Sequence, residues 1–309
     1  MRFSPLLFIV FVQFLALVGI ARYAAPTTDE WGHLPSGLVH WIHGSFVPYR
    51  DNPPFVRMIA SAPVLLADYQ ILAISRYDVL PGDRNEFRLG EAFAMANGDK
   101  SLDLFFIARI PIIFICCMGT ILIYVIGSSL HGNRCGLFAA ILYALSPMIL
   151  TYGAMITPDS TLTVMGLAAS WSISAALRNT TVRNIFACCL ANTFAVLCKT
   201  SWIVVLLALA MIVLYKLLTS IWSRDLKRLS RILLAVLGTT FCSLLLVGCC
   251  YNFTEMFWKL VDFPFVSSSL VSAAKTNRFE GSILGNIPIP FPRDLVLGID
   301  QQRWDFEGN

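Results

Sequence analysis

Long, uninterrupted apolar runs dominate this chain and determine its fold class. About 20 apolar residues span the hydrocarbon core of a membrane as a helix, and these runs do not alternate with polar residues, so they exclude a soluble domain and a β-barrel. The mean hydropathy of +0.69 agrees. The sequence predicts an all-α, polytopic integral membrane protein with about seven transmembrane helices. We place them at residues 5–21, 110–130, 135–151, 160–177, 185–198, 201–219 and 231–251.

Basic residues predict the orientation of these helices. Arg134, Arg178 with Arg183, and a basic group between residues 224 and 231 occur in three alternate connections, and Arg2 precedes the first run. By the positive-inside rule, the N-terminus and these connections are cytoplasmic. The net charge of +4 comes mostly from these residues and gives no reason to expect nucleic-acid binding. The predicted non-cytoplasmic segments are residues 22–109, 152–159, 198–201 and 252–309.

The first non-cytoplasmic segment carries its own structural signals. Asn52-Pro53-Pro54 predicts a helix start, with Asn52 as the N-cap and proline in the first turn. Residues 55–75 are apolar with polar interruptions and predict an interfacial helix on the outer leaflet. Residues 76–103 are polar and predict a surface loop.

Two domains follow from this organisation. Residues 1–251 form the predicted transmembrane module, and residues 252–309 a non-cytoplasmic segment without a periodic core. We expect this segment to be incomplete, because it stops in mid-loop. Within the module, Thr157-Pro158-Asp159 predicts another helix start: a cap, a proline at the first position and an acid in the first turn.

The predicted topology places ionisable residues from distant parts of the chain at one membrane surface: Asp29, Glu30, Arg57, Arg109, Asp159 and Lys199. Arginine and lysine bind phosphate oxygens, and a carboxylate accepts the proton of an incoming hydroxyl. This combination suits a substrate with a phosphate head and a lipid tail. Since phosphate is a good leaving group, glycosyl transfer from a lipid phosphate requires a base only on the acceptor side.

Each of these residues also has a purely structural explanation. Asp29 is a hydrated acid capping the next helix, and Asp159 interacts favourably with a helix dipole. Lys199 extends to the lipid interface, and Arg109 anchors a span there. His33 is a hydrogen-bonding residue of the loop. Taken one at a time, these residues fit either a structural or a functional role. Because the predicted topology places them on the same side of the membrane, a functional site is favoured.

Four spaced motifs resemble those of the GT-C membrane glycosyltransferases, in particular the dolichyl-phosphate-mannose protein mannosyltransferase and ArnT-like group. They are residues 29–37 (DEWGHLPSG), 52–54 (NPP), 144–159 (ALSPMILTYGAMITPD) and 197–200 (LCKT). The chain departs from the family in having about seven spans where full members have eleven or more. It also has Asn-Pro-Pro where many relatives have His-Pro-Pro.

The resemblance implies roles for particular residues. Asp29 corresponds to the catalytic base, with Glu30 beside it, and Asp159 to a residue that lines the site or helps to hold a divalent metal ion. Lys199 corresponds to a ligand of the donor phosphate. Arg57, Arg109 and His33 are further candidates for substrate binding.

The expected function is inverting transfer of a sugar from a polyprenyl-phosphate donor to a hydroxyl of a protein, lipid or glycan, at the non-cytoplasmic face. The membrane would be the plasma or inner membrane of a bacterium, or the endoplasmic reticulum of a eukaryote, and membrane lipids and the lipid-linked donor are the expected partners. One alternative is a truncated, non-catalytic paralogue that binds lipid-linked sugar or a partner. A transporter or flippase is less favoured, because the ionisable residues lie at span ends and not at mid-bilayer.

Overall fold

Helices make up most of the structure, which is a computed structural model describing residues 4–71, 84–272 and 276–308. Within these ranges the chain forms twelve α-helices and no named strand, which confirms the all-α prediction. In chain order they are α1 (Ser4–Tyr23), α2 (Thr28–His43), α3 (Phe55–Ser61), α4 (Asn85–Asn97), α5 (Lys100–His131), α6 (Asn133–Ala144), α7 (Pro147–Tyr152), α8 (Pro158–Arg178), α9 (Val182–Cys198), α10 (Ile203–Trp222), α11 (Leu226–Cys250) and α12 (Arg293–Phe306).

Five helical segments are long and apolar enough to cross a membrane, judged by length and composition. They coincide with α1, α5, α8, α10 and α11. The fifth predicted span, 185–198, lies in α9, which at 17 residues is shorter than the other five. The chain is thus a helical membrane protein. The five segments are Pro5–Tyr23, Lys100–His131, Pro158–Arg178, Thr200–Trp222 and Ile232–Cys250.

The predicted span 135–151 is not a single helix, and that prediction was wrong. α6 ends at Ala144 and α7 begins at Pro147, with Ser146 in an extended conformation between them. Proline disfavours the helical conformation of the residue before it and has no N–H to continue the helix. The sequence therefore forms two short helices here.

The segment between α1 and α5 is more helical than the sequence predicted. α4 occupies part of the expected surface loop 76–103, and this prediction was wrong because α4 buries one face, including Leu89 and Phe93. Gly90 allows this packing: a Cβ there would lie 2.4 Å from the backbone oxygen of Trp31 on α2. Residues 76–83 of the predicted loop lie outside the described ranges.

The predicted interfacial helix 55–75 is shorter than expected. α3 ends at Ser61, a 3-10 turn covers Ala62–Leu66, and the chain leaves the helical conformation at Ala67. Residues 72–75 lie outside the described ranges. The prediction that Asn52 is the N-cap was wrong, because Pro54 occupies that position. The Asn52 backbone oxygen instead accepts a hydrogen bond from Arg57.

A hydrophobic core joins α2, α3 and α5 beneath the first segment. Buried side chains from all three helices meet there. They are joined by Ile156, which lies just before α8, and by Cys198, the last residue of α9. This core fixes α2 and α3 to the long apolar helix α5. Its buried members include Leu34, Leu38, Val56, Ala60, Phe105 and Ala108.

The C-terminal segment has a core that the sequence did not predict. Phe263, Phe265 and Leu297 are buried together, and α12 supplies the last of them. Asp300 of α12 accepts hydrogen bonds from the backbone N–H groups of Val266 and Ser267. No apolar periodicity in the sequence indicated this core, because apolar residues far apart in sequence meet only through this folding.

Candidate active site

The first turn of α2 places the two adjacent acids. Thr27 is the N-cap in an extended conformation, and its backbone N–H donates to Glu30 Oε2 at 2.9 Å. This is the Thr-x-x-Glu capping box, in which the acid at the third helical position folds back onto the cap. The helix start therefore turns Glu30 inward, where it is fully buried, and leaves Asp29 exposed.

Glu30 is held by a buried arginine. Arg109 Nε donates to Glu30 Oε1 at 2.7 Å and Nη2 donates to Oε2 at 2.6 Å, while the Ile156 N–H donates to Oε1 at 2.9 Å. Arg109 also donates to the carbonyl oxygens of Ala21 and Ala24 at 2.7 and 2.8 Å. Both side chains are thus engaged in joining α1, α2, α5 and the start of α8, and neither faces solvent.

Asp29 differs from Glu30 in being free. It is exposed, and it makes no hydrogen bond or ion pair with any of the residues that the structure describes. Since Asp29 belongs to the same turn as Glu30, the buried ion pair fixes the backbone that carries it. A hydrated carboxylate on a rigid backbone is available to accept a proton.

Asp159 and Lys199 form an ion pair at 2.7 Å. Asp159 is in the first turn of α8, where Thr157 is the N-cap and Pro158 the first helical residue, as the sequence predicted. Lys199 is in an extended conformation between α9 and a short 3-10 turn. The bond from the Ile156 N–H to Glu30 brings the start of α8 beside the first turn of α2. Asp29, Asp159 and Lys199 therefore belong to the same end of the molecule.

Arg57 and His33 lie in a separate buried network. Arg57 Nε donates to His40 Nε2 at 2.8 Å and Nη2 to the Tyr49 carbonyl oxygen at 2.7 Å. Its guanidinium covers the Tyr49 ring at 4.3 Å, and His33 stacks on the same ring at 4.9 Å. Among the described residues, neither side chain bonds to Asp29, Asp159 or Lys199. Their observed role is to hold the segment between α2 and α3.

Burial sets the protonation of this network. The pKa values of His33 and His40 lie well below the usual range, first because burial removes the charged form from water and then because Arg57 is nearby. Both imidazoles are therefore neutral at physiological pH. Burial also lowers the pKa of Arg57 from its ordinary value. Arg57 is therefore the cation of this network, and the two histidines beside it are neutral.

An ionic cluster that the sequence did not reveal joins the first segment to α12. Arg84 contacts three carboxylates: Asp51 at 2.9 Å, Glu86 at 2.5 Å and Asp305 at 2.8 Å. We call these four residues the Arg84 cluster. One guanidinium cannot neutralise three acids, and burial raises the pKa of Asp51 to about 7 despite the contact with Arg84. No sequence pattern indicated this cluster, because its members are up to 254 positions apart, from Asp51 to Asp305.

The described residues do not fit a protein-held divalent metal ion. No three His, Cys, Asp or Glu side chains within them come together as a ligand group. Asp159, the predicted metal ligand, has the ammonium of Lys199 as its neighbour. A cation would have to compete with that positive charge for a single carboxylate.

Two apolar cavities lie among α8, α9, α10 and α11. An apolar groove of about 380 Å³ separates α8 and α9 from α10 and α11. Its lining on α8 comes from Ile173, Ala176 and Leu177, in the last turns of the helix, whereas Asp159 is in the first turn. The groove is therefore remote from Asp29 and Lys199.

One protein family is similar to part of the chain. Residues 102–247, a little under half of the chain, match the family described as dolichyl-phosphate-mannose-protein mannosyltransferase. The chain is GT-C mannosyltransferase-like. The matched region contains Arg109, Asp159 and Lys199 and begins beyond Asp29 and Glu30. No curated protein and no solved structure matched the chain in the corresponding searches.

Proposed function

We propose that this protein transfers a sugar from a polyprenyl-phosphate donor to a hydroxyl acceptor, with inversion, at the non-cytoplasmic membrane face. The observation that carries the proposal is the contrast between two adjacent acids. Glu30 is buried and bonded to Arg109, whereas Asp29 is exposed, free, and at the same end of the molecule as Lys199. The match to a mannosyltransferase family supports the reaction class.

In the proposed reaction, Asp29 accepts the proton of the acceptor hydroxyl. The acceptor oxygen then attacks the anomeric carbon on the face opposite the phosphate. The bond between that carbon and the phosphate oxygen breaks, and its electron pair leaves with the polyprenyl phosphate. Because the attack comes from the opposite face, the configuration of the sugar is inverted.

Lys199 would bind the phosphate in this scheme. Its ammonium is now paired with Asp159 in a partly exposed contact, and such pairs are worth only about 0–1 kcal/mol. Because so little is lost when this pair separates, a phosphate oxygen of the donor can take the place of Asp159 at the ammonium. An ammonium at the phosphate also stabilises the charge that develops as the carbon–oxygen bond breaks.

The other predicted site residues have supporting roles in this proposal. Glu30 and Arg109 fix the turn that carries Asp29. Arg57 and His33 hold the chain between α2 and α3. Both groups are buried, so they act on the substrate through the backbone that they position.

The test is transfer of sugar from a short-chain polyprenyl-phosphate donor by the purified protein reconstituted in vesicles. Asp29→Asn should lower kcat by about 10²–10⁴-fold, the usual contribution of a positioned base. The thermal unfolding temperature should not change, because the Asp29 side chain has no partner among the residues that the structure describes. The matched control is Glu91→Gln, which removes an exposed acid on a different helix, α4. This variant should leave turnover unchanged.

Other outcomes would favour the other functions. Equal turnover by the Asp29→Asn variant and the unmodified protein would remove Asp29 as the base. Binding of polyprenyl phosphate without any transfer by the unmodified protein would support a binding-only role. Movement of the lipid between leaflets without sugar transfer would support a flippase.

A further inference from the structure

The C-terminal helix contacts the chain on both sides of Lys199. Thr200, the next residue, donates from Oγ1 to Gln302 Oε1 of α12 at 2.6 Å. Leu197, two residues before Lys199, is buried in a cluster that includes Leu295 of α12. Both contacts act on the backbone around Lys199 and leave its side chain unobstructed.

Ion pairs attach α12 to the first non-cytoplasmic segment at both ends. Arg50 Nε contacts Asp294 Oδ1 at 2.6 Å in the first turn of α12, and both side chains are at most 10% exposed. In the last turn, Arg84 Nη1 contacts Asp305 Oδ2 at 2.8 Å. Close packing adds to this, because a Cβ on Gly298 would lie 2.0 Å from the Arg50 carbonyl oxygen. α12 is therefore a rigid connection between that segment and the Lys199 turn.

The position of the Lys199 ammonium depends on this backbone. The residue is extended, with φ −155° and ψ 131°, and its N–H donates to the Ala195 carbonyl oxygen at 3.2 Å. Its side chain has four flexible methylene groups, and the ammonium is paired with Asp159. When a phosphate replaces Asp159, the backbone anchors at Leu197 and Thr200 still define where the ammonium can reach.

We propose that Gln302, through its hydrogen bond to Thr200, is a positioning residue for Lys199 in the binding of the donor phosphate. This inference rests on the proposed function, because it requires Lys199 to bind phosphate. Gln302 itself does not touch the donor. Its loss weakens donor binding because the lysine turn gains alternative conformations, only some of which direct the ammonium at the phosphate.

The test measures binding of a short-chain polyprenyl phosphate to the full-length protein in detergent micelles. Thr200→Val and Gln302→Leu each remove the bond, and each should weaken binding about five-fold, the effect of one hydrogen bond. Thr200→Ser keeps the hydroxyl and should restore binding to the wild-type value. Arg303→Gln, at the next position of α12 and exposed, is the matched control and should bind as the wild type does.

Two readouts separate positioning from general damage. The thermal unfolding temperature should be the same for Thr200→Val and Thr200→Ser, while only the valine variant loses affinity. In the transfer assay, Thr200→Val should raise KM for the donor and leave KM for the acceptor unchanged. A loss of affinity that accompanies unfolding, or that serine fails to restore, would overturn the inference.

The experiment also distinguishes this inference from the proposed function. If Lys199→Ala weakens binding while Thr200→Val and Gln302→Leu bind normally, the positioning role is wrong and the phosphate role of Lys199 stands. If Lys199→Ala binds as the wild type does, the phosphate role of Lys199 and the positioning role of Gln302 are both wrong. If the wild type binds the lipid but transfers no sugar, the proposed reaction fails, and the binding series still decides the role of Gln302.

Discussion

Glu30 on α2 and Arg109 on α5 form a buried ion pair with two hydrogen bonds, at 2.7 and 2.6 Å. The pair is fully enclosed, and the Ile156 N–H occupies a further position on the carboxylate. The two adjacent acids therefore have different roles. Glu30 fixes the start of α2, and Asp29 remains exposed to solvent. The two acids should therefore respond differently to the same substitution.

Replacing Glu30 by Gln should destabilise the protein by about 3–5 kcal/mol, because it leaves the Arg109 charge buried without its partner. The measurement is thermal unfolding of the purified protein in detergent. Asp103→Asn is the matched control, because it breaks the exposed pair between Arg22 and Asp103, which is worth about 0–1 kcal/mol. Equal effects of the two substitutions would contradict a supporting role for the buried pair.

Asp159→Asn and Lys199→Ala should change donor affinity in opposite directions. Lys199→Ala removes the ammonium and should raise KM for the donor. Asp159→Asn removes the carboxylate that competes with phosphate for that ammonium, and should lower KM by up to about five-fold, since a partly exposed pair is worth at most about 1 kcal/mol.

Steady-state kinetics with varied donor at saturating acceptor distinguish the two effects. If Asp159→Asn raises KM as much as Lys199→Ala does, the two residues act together on the substrate, and the competition argument is wrong. The double variant adds a control: once the ammonium is gone, removing Asp159 should have no further effect on KM.

The fold class was predictable because continuous apolar runs fix transmembrane helices by length and composition alone. The start of α8 was predictable for a local reason: its cap and proline act within three residues. The break between α6 and α7 could have been predicted from Pro147, which is also a local signal. α4 was not predicted, because its buried face appears only once α2 packs against it.

The candidate site was predictable in its residue types but not in its pairings. Arg109 beside an apolar run has the same sequence appearance whether it anchors the span at the interface or binds a buried acid. Its partner Glu30 is 79 positions away, so only the tertiary fold decides between the two. The same applies to the Arg84 cluster, which depends on α12 docking against the segment between α1 and α5.

Asp51 should make stability depend on pH. Burial raises its pKa to about 7 from an ordinary value of 3.8, so the folded protein retains a proton that the unfolded chain loses. The protonated carboxyl stabilises the fold fully below about pH 4, and this contribution is lost as pH rises through about 7. The groups around it are Arg84, Glu86, Asp305 and Arg57.

Asp51→Asn tests this dependence, because asparagine resembles the protonated carboxyl and does not titrate. The unfolding temperature of the variant minus that of the wild type should rise between pH 5 and 8, by an amount corresponding to at most about 3 kcal/mol. Taking the difference cancels the titration of His33 and His40, which both proteins share. A difference that stays constant with pH would contradict the raised pKa.

Gly37 should tolerate no side chain, because α3 crosses α2 at that position. A Cβ on Gly37 would lie 2.4 Å from the Arg57 carbonyl oxygen and 2.5 Å from Ser61 Oγ. The Arg57 carbonyl belongs to the backbone of α3 and can move away only if the whole helix shifts, so Gly37→Ala should destabilise the protein by about 1–3 kcal/mol.

Gly19→Ala is the matched control for Gly37→Ala, since Gly19 is also helical and has nothing within 4 Å of its Cβ position. Alanine is the better helix former, so this substitution should leave stability unchanged or raise it by up to about 1 kcal/mol. Thermal unfolding in detergent measures both variants. Because α3 carries Arg57 and packs against the helix that carries Asp29, Gly37→Ala should also reduce transfer, whereas Gly19→Ala should not. Equal stability of the two variants would show that α3 does not pack against α2 as closely as the structure places it.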